Sequence, residues 1–238
     1  MKQVLLSWSS GKDSAWALHM LRQQRDLRIA ALLTTFNGAA DRVAMHGIRR
    51  CLVEAQAERI GLPLWAVDLP WPCSNAEYEK ILRGICNRAV DEDIEAVAFG
   101  DLFLADIRSY RERQLKDTGL EPIFPLWQIP TTQLARDMVR SGIKAKLSCV
   151  DVSKLDRSYA GRNFDFAFLE NLGPEIDPCG ENGEFHTFVY DAPIFPQPIG
   201  VQVGEIVERD GFAFADVIEV DSEKPEIALR ISAARRER

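Results

Sequence analysis

Val4-Leu5-Leu6-Ser7-Trp8 runs directly into Ser9-Ser10-Gly11-Lys12-Asp13-Ser14 and then into Ala15-Trp16-Ala17-Leu18-His19-Met20-Leu21. An apolar run that ends in small polar residues and passes at once into helix-forming sequence predicts a buried strand, a phosphate-sized turn and a helix N-terminus in series. The first turn of a helix presents unpaired backbone N–H groups and the positive end of the helix dipole, so this turn is expected to hold an anion. Ser9, Ser10 and Ser14 add hydroxyl donors, Gly11 permits close backbone approach, and Lys12 adds a full positive charge. Asp13 would repel a phosphate unless a cation such as Mg²⁺ lay between them, which points to a metal–nucleotide complex. The spacing is not that of a Walker A loop, which needs four residues between its glycines and a Gly-Lys-Ser/Thr ending. A plain Ser/Gly turn capping a helix through Ser9 or Asp13 would not need Lys, Asp and two serines around one glycine.

Beyond the first helix, Arg28 to Phe36 is a continuous apolar run that predicts a strand covered on both faces, followed by the turn signal Asn37-Gly38. Ile48 to Ile60 has helical spacing and stops at Gly61, and Leu64 to Leu69 is a third strand. Short links between alternating strands and helices give a doubly wound α/β fold with a parallel sheet. Ser74 or Asn75 is expected to cap a helix from Glu77 to about Glu92, and Glu95 to Asp101 forms the fourth strand. Ligands collect at the carboxyl ends of parallel strands, so Asp101 should share a crevice with the first loop and join Asp13 as a Mg²⁺ ligand; a turn or cap role for Asp101 is the alternative. Thr34 and Gly100 are counted with residues 9–14 as nucleotide contacts.

Leu102 to Thr118 reads as a helix whose charged face carries Asp106, Arg108, Tyr110, Arg111 and Arg113, for the most part solvated. The proline-bounded stretch Glu121 to Trp127 marks the expected boundary between residues 1–124, a nucleotide-binding domain, and 125–238, a smaller α+β substrate domain. Thr131 opens a helix to Gly142, Lys144 to Val150 is a strand, and a short helix covers Asp165 to Asn171. Gln202 to Val207 and Phe212 to Val220 flank Arg209-Asp210-Gly211 as a hairpin, with an edge strand at Ile227 to Ile231 and a frayed charged end at Arg235 to Arg238. The apolar hairpin is a possible surface for a homo-oligomer.

Asp177-Pro178-Cys179-Gly180-Glu181-Asn182-Gly183-Glu184-Phe185-His186-Thr187 is the second informative stretch. Its glycines, carboxylates, amide and histidine cannot bury themselves as a core segment and are expected to form a polar loop facing a ligand. Glu181 and Glu184 would repel each other unless a cation lay between them. His186 is open to two readings, a proton carrier or a hydrogen-bonded structural histidine.

The 238 residues carry a formal charge of −7, which opposes a broad nucleic-acid surface, and no apolar run approaches the eighteen or so residues that cross a bilayer. A cytoplasmic protein without signal peptide or membrane contact is expected. Cys51, Cys73, Cys86, Cys149 and Cys179 form no CxxC pair and no metal-ligand spacing, so reduced thiols are expected.

Residues 9–14 resemble the SGGKDS loop of the ATP pyrophosphatases, with Ser10 in place of the second glycine. If that position requires φ > 0, serine costs stability there. With Gly100-Asp101, Pro125-Leu126-Trp127, Cys149-Val150-Asp151, Leu155 to Arg162 and Gly180 to Thr187, the chain resembles the diphthine–ammonia ligase family nearly end to end. The resemblance implies a HUP-like, Rossmann-like sheet and ATP-dependent amide synthesis. ATP and Mg²⁺ would occupy the first domain, and ammonia would meet a small-molecule or protein-borne carboxylate near the glutamate-rich loop. Lys12, Asp13, Glu181, Glu184 and His186 are the implied catalytic group, and Tyr159, Arg162, Glu181, Asn182 and Glu184 the substrate contacts. Two other functions are weighed against this. Sulfur transfer to tRNA is opposed by the acidic balance and the missing CxxC; a nucleotide sensor without turnover would not need the second polar stretch.

Overall fold

The computed structural model describes residues 1–44 and 46–220 of the chain. Strand β1 (Lys2–Ser7) sits at the centre of a six-stranded sheet, and its side chains explain why the run shows no alternation. Val4 and Leu6 enter one core cluster and Leu5 the other, so both faces of the strand are covered. Helix α1 (Lys12–Leu21) follows, then β2 (Leu27–Asn37), β3 (Arg42–Val43), α2 (Arg50–Ile60), β4 (Leu64–Leu69), α3 (Asn75–Asp91), β5 (Ala96–Ala98), α4 (Ala105–Leu115) and β6 (Glu121–Ile123). The parallel strands lie in the order β4-β2-β1-β5-β6, while β3 pairs antiparallel with Phe36 and Asn37 at the end of β2. The order reverses between β1 and β5, which opens a crevice at their carboxyl ends.

Local signals placed several element ends. Gly61 takes the left-handed conformation, φ 72°, that ends α2, and Ser74 with Glu77 forms a reciprocal capping box on α3. Two expected elements are shorter than their sequence pattern. β5 stops at Ala98 because Gly100 packs on the start of α1, where an added methyl would lie 3.2 Å from the Asp13 carbonyl carbon. α4 begins at Ala105 and not at Leu102, whose N–H is taken by the Glu181 side chain.

The second half contains α5 (Thr131–Arg140), β7 (Lys144–Asp151), β8 (Asn163–Phe164), α6 (Phe166–Glu170), β9 (Phe185–Asp191), β10 (Val201–Arg209) and β11 (Phe212–Glu219). Its sheet is antiparallel, β10-β11-β7-β8, with β9 also on β7. Asp210 and Gly211, both at positive φ (53° and 81°), make the two-residue turn between β10 and β11. Residues 177–187 are not a loop throughout: Phe185, His186 and Thr187 begin β9, because Phe185, Thr187, Phe188 and Val189 all bury their side chains. One core cluster runs from Val4 and Leu18 through Phe164 to Phe188, so the two sheets pack as neighbours. The edge strand at 227–231 and the charged end at 235–238 lie outside the described residues. No helix among the described residues is long and apolar enough to cross a membrane.

Candidate active site

The loop after β1 is fastened from below. Trp8 N–H donates to Leu33 O (2.7 Å), and Thr34 Oγ1 donates to Trp8 O (2.7 Å). Thr34 is therefore an anchor beneath the loop: its hydroxyl is buried and spent on the backbone, which removes it from the nucleotide contacts expected of it. The Gln56 amide accepts from Trp8 Nε1 (2.8 Å) and donates to Ser10 O (3.1 Å) and Val189 O (2.6 Å). Val189 N–H donates to Ser10 O (3.0 Å), and Lys12 N–H donates to Thr187 Oγ1 (3.0 Å). Strand β9 thus braces the loop that β1 delivers.

Ser10 has φ 68°, the left-handed conformation that favours glycine. Its side chain is fully buried and its hydroxyl has no partner, so it does not face the crevice with Ser9, Gly11 and Ser14. Ser10→Gly is expected to raise stability by about 1 kcal/mol, or about 2–4 °C in melting temperature, by removing both the strain and the orphaned hydroxyl. A melting curve that is unchanged or shifted down would contradict this.

Above the loop lies a polar crevice of about 240 Å³. Ser9, Gly11, Lys12, Asp13, Ser14, Gly100, Asp101, Glu181 and His186 line it, so the structure brings together residues distant in sequence. Lys12 is almost wholly buried; its Nζ donates to Asp13 Oδ2 (2.9 Å) and to Cys179 O, and lies 5.6 and 5.2 Å from the ring centres of Phe164 and Phe185. Despite that burial, Asp13 and its neighbours hold the ammonium pKa above its usual value. Burial pushes the Asp13 carboxyl upward against the pull of Lys12. Burial raises Asp101 as well, opposed by Arg111 and helped by Asp13.

Glu181 Oε1 accepts from the N–H groups of Leu102 (2.8 Å) and Phe103 (3.4 Å). Burial, with smaller contributions from Asp13 and Asp101, pushes its pKa up to about 7. A carboxyl raised in the folded state favours folding when protonated, so this contribution is full below the ordinary carboxylate range and fades as pH rises through 7. Glu181→Gln is therefore expected to melt increasingly above the parent protein between pH 5 and pH 8; a pH-independent difference would contradict the assignment.

Of the remaining expected residues, Glu184, Asn182, Tyr159 and Arg162 lie outside the crevice lining, and His186 is part of it. Glu184 is buried, accepts from Asp177 N–H (3.1 Å) and Asn182 Nδ2 (3.2 Å), and does not line the crevice with Glu181. Asn182 serves that same internal network and does not line the crevice. Tyr159 and Arg162 line a separate hollow with Lys146 and Asn171; Arg162 stacks on Tyr159 at 4.6 Å and donates to Ser158 O (2.9 Å), closing its own turn. His186 stacks on His46 with ring centres 4.3 Å apart, and burial, helped by Lys12, lowers its pKa to about 4, which leaves the ring neutral. Burial raises both the Cys149 thiol, to about 12, and the Cys179 thiol, so neither offers a thiolate.

His46 and Arg111 also line the crevice. Neither carries a motif signal, since His46 lies in an irregular segment and Arg111 is one charge among many on α4. Gln56 had a signal, an amide on the buried face of an amphipathic helix.

Asp13 Oδ1 and Asp101 Oδ2 are both buried without a hydrogen-bond partner. Two such oxygens fit Mg²⁺, which takes one or two carboxylates and completes its shell with phosphate oxygens and water. No cluster of three or more His, Cys, Asp or Glu side chains among the described residues could hold a metal by itself, so the fit is to a metal that arrives with phosphate.

The strand order and the Ser/Gly/Lys/Asp loop at its carboxyl edge define a doubly wound α/β protein whose polar crevice lies at the point where the strand order reverses. The N-terminal domain model of diphthamide synthase matches residues 1–122 and the C-terminal domain model residues 130–221, and the chain belongs to this family, whose curated relatives carry the name diphthine–ammonia ligase. The relative from Schizosaccharomyces pombe is 29% identical over 228 residues, covering 87% of this chain and 37% of that protein. The one from Homo sapiens is 31% identical over 181 residues, 69% of this chain and 67% of its own length, and that from Danio rerio 28% over 232 residues, 88% and 90%. The chain thus spans little more than a third of the yeast relative. Among solved structures, the U34-tRNA thiolase NcsA from Methanococcus maripaludis aligns with TM-score 0.37 and 18% identity, covering 58% of this chain and 56% of that one.

Proposed function

We propose that the protein is an AMP-forming carboxylate–ammonia ligase that uses ATP, with residues 1–124 carrying the nucleotide and the rest the acceptor. The observation that carries this reading is the meeting of the Lys12–Asp13 loop with Asp101 and Glu181 in one crevice at the carboxyl edge of the sheet. A carboxylate does not react with ammonia because oxide is a poor leaving group. Attack of a carboxylate oxygen on the α-phosphorus forms an acyl-adenylate, while the α–β bridging bond breaks and its electron pair leaves with pyrophosphate. Ammonia then attacks the acyl carbon, AMP departs with the bonding pair, and the nitrogen gives up a proton to yield the amide.

In this scheme the loop amides, Ser9 and Lys12 stabilise charge on the departing pyrophosphate, while the Ser14 hydroxyl, donating to Gly11 O (2.9 Å), holds the loop's shape. Mg²⁺ held by Asp13 and Asp101 would neutralise the remaining phosphate charge. Glu181 is the one acid of the glutamate-rich stretch that reaches the crevice, and it holds ammonium; Glu184, His186 and Asn182 shape the wall behind it. An apolar hollow of about 540 Å³ between the sheet and α3 and α4 opens beside the crevice and suits a nucleobase with its ribose. The family's name nominates a diphthine-bearing protein as the acceptor to try first. Incubation with Mg-ATP, ammonium and that acceptor should release AMP and pyrophosphate in step with amide; ADP and phosphate would contradict the reading.

A further inference from the structure

We infer that Arg111 grips the α-phosphate of the nucleotide, a contact that rests on the ATP-dependent reading above. The polar crevice and the apolar hollow meet where Ser9, His46, Phe99, Arg111 and His186 line both. A ligand with its nucleoside in the apolar hollow and its pyrophosphate on the loop must place the group that joins them at this junction. In ATP that group is the α-phosphate, the phosphorus that reacts.

Of the side chains at the junction, Arg111 is the guanidinium, with five N–H donors in a fixed fork, while His46 and His186 are held neutral by burial. Its guanidinium lies 5.0 Å from the Phe99 ring centre, which fixes the plane of the fork. Its acidic neighbour, Asp101, is 3.7 Å away, too far for a hydrogen bond, and Arg111 Nε and Asp101 Oδ2 are both buried without a partner. A guanidinium edge left without an acceptor in a crevice matches an incoming phosphate, which it can take with two parallel bonds. As the carboxylate attacks, negative charge builds on the non-bridging α-oxygens, and a fixed cation there lowers the barrier.

AMP and pyrophosphate separate the two ends of the site, because the first has only the α-phosphate and the second lacks it. Calorimetric titration with Mg²⁺ present should show that Arg111→Met weakens AMP binding by about 30-fold and leaves pyrophosphate within about threefold. Arg111→Lys, which keeps the charge near Asp101 but loses the fork, should recover part of the AMP affinity and covers the case in which the methionine variant does not fold. Arg113→Met, exposed on the same helix, serves as the unchanged control. Full AMP affinity in Arg111→Met, or equal loss of AMP and pyrophosphate, overturns the inference and leaves the ligase reading standing. A parent protein that binds neither ligand overturns both. In turnover, loss confined to the KM for the acceptor would assign Arg111 to the acceptor carboxylate and likewise overturn it.

Discussion

Lys12→Met is expected to lower AMP formation by about 10³-fold, the largest effect of any single change in the crevice. Methionine nearly preserves the volume between Phe164 and Phe185, so the comparison isolates the charge. Two things are lost together. The loop no longer offers a fixed cation to the leaving pyrophosphate, and Asp13, about a quarter exposed, loses its 2.9 Å ion pair. The second loss destabilises the fold by about 2 kcal/mol, less than for a fully buried pair because water still reaches the carboxylate. Activity per folded molecule, measured below the melting transition of the variant, separates the two. Turnover within about threefold of the parent would remove Lys12 from the reaction.

Gln56→Leu is expected to cost about 3 kcal/mol, or a fall of about 6–12 °C in melting temperature. The amide ties Trp8 Nε1, Ser10 O and Val189 O, that is, the loop, its strained residue and β9. Leucine fills the space but leaves an indole N–H and the Val189 carbonyl buried without partners. Ser10 O keeps the Val189 N–H, so that end of the network is only half broken. Differential scanning calorimetry decides it; a shift under about 2 °C would mean that the amide is not what fastens the loop to the second sheet.

The N-terminal sheet was legible because its strands are buried on both faces and their helices carry local punctuation. The Val4-Leu5-Leu6 run and Gly61 act through neighbouring residues and landed where the pattern placed them, and of the two cap candidates Ser74 is the one that caps α3, which starts at Asn75 and not at Glu77. The Asp210-Gly211 turn is legible for the same reason. Strand β9 was hidden because its first residues continue a stretch whose glycines and glutamates read as loop; what makes Phe185 to Thr187 a strand is pairing with β7, a partner about 40 residues upstream. That the loop and Asp101 share one crevice was legible, because both follow the carboxyl ends of neighbouring parallel strands. It was not legible in the direction of side chains: nothing local says that Glu181 turns to the Leu102 amide while Glu184, three residues on, turns inward to Asp177. Arg111 and His46 depend on how α4 and the segment after β3 pack over the crevice, and tertiary packing leaves no periodic trace in either.

The most direct measurement is a crystal structure with Mg²⁺ and α,β-methylene-ATP, whose α–β link cannot be cleaved. The account predicts the β- and γ-phosphates on the loop amides of residues 9–14 and the Ser9 hydroxyl, Mg²⁺ against Asp13 and Asp101, and the α-phosphorus open to the side of Glu181. A nucleotide bound with its γ-phosphate toward Glu181, or a loop that stays empty at saturating analogue, would contradict it.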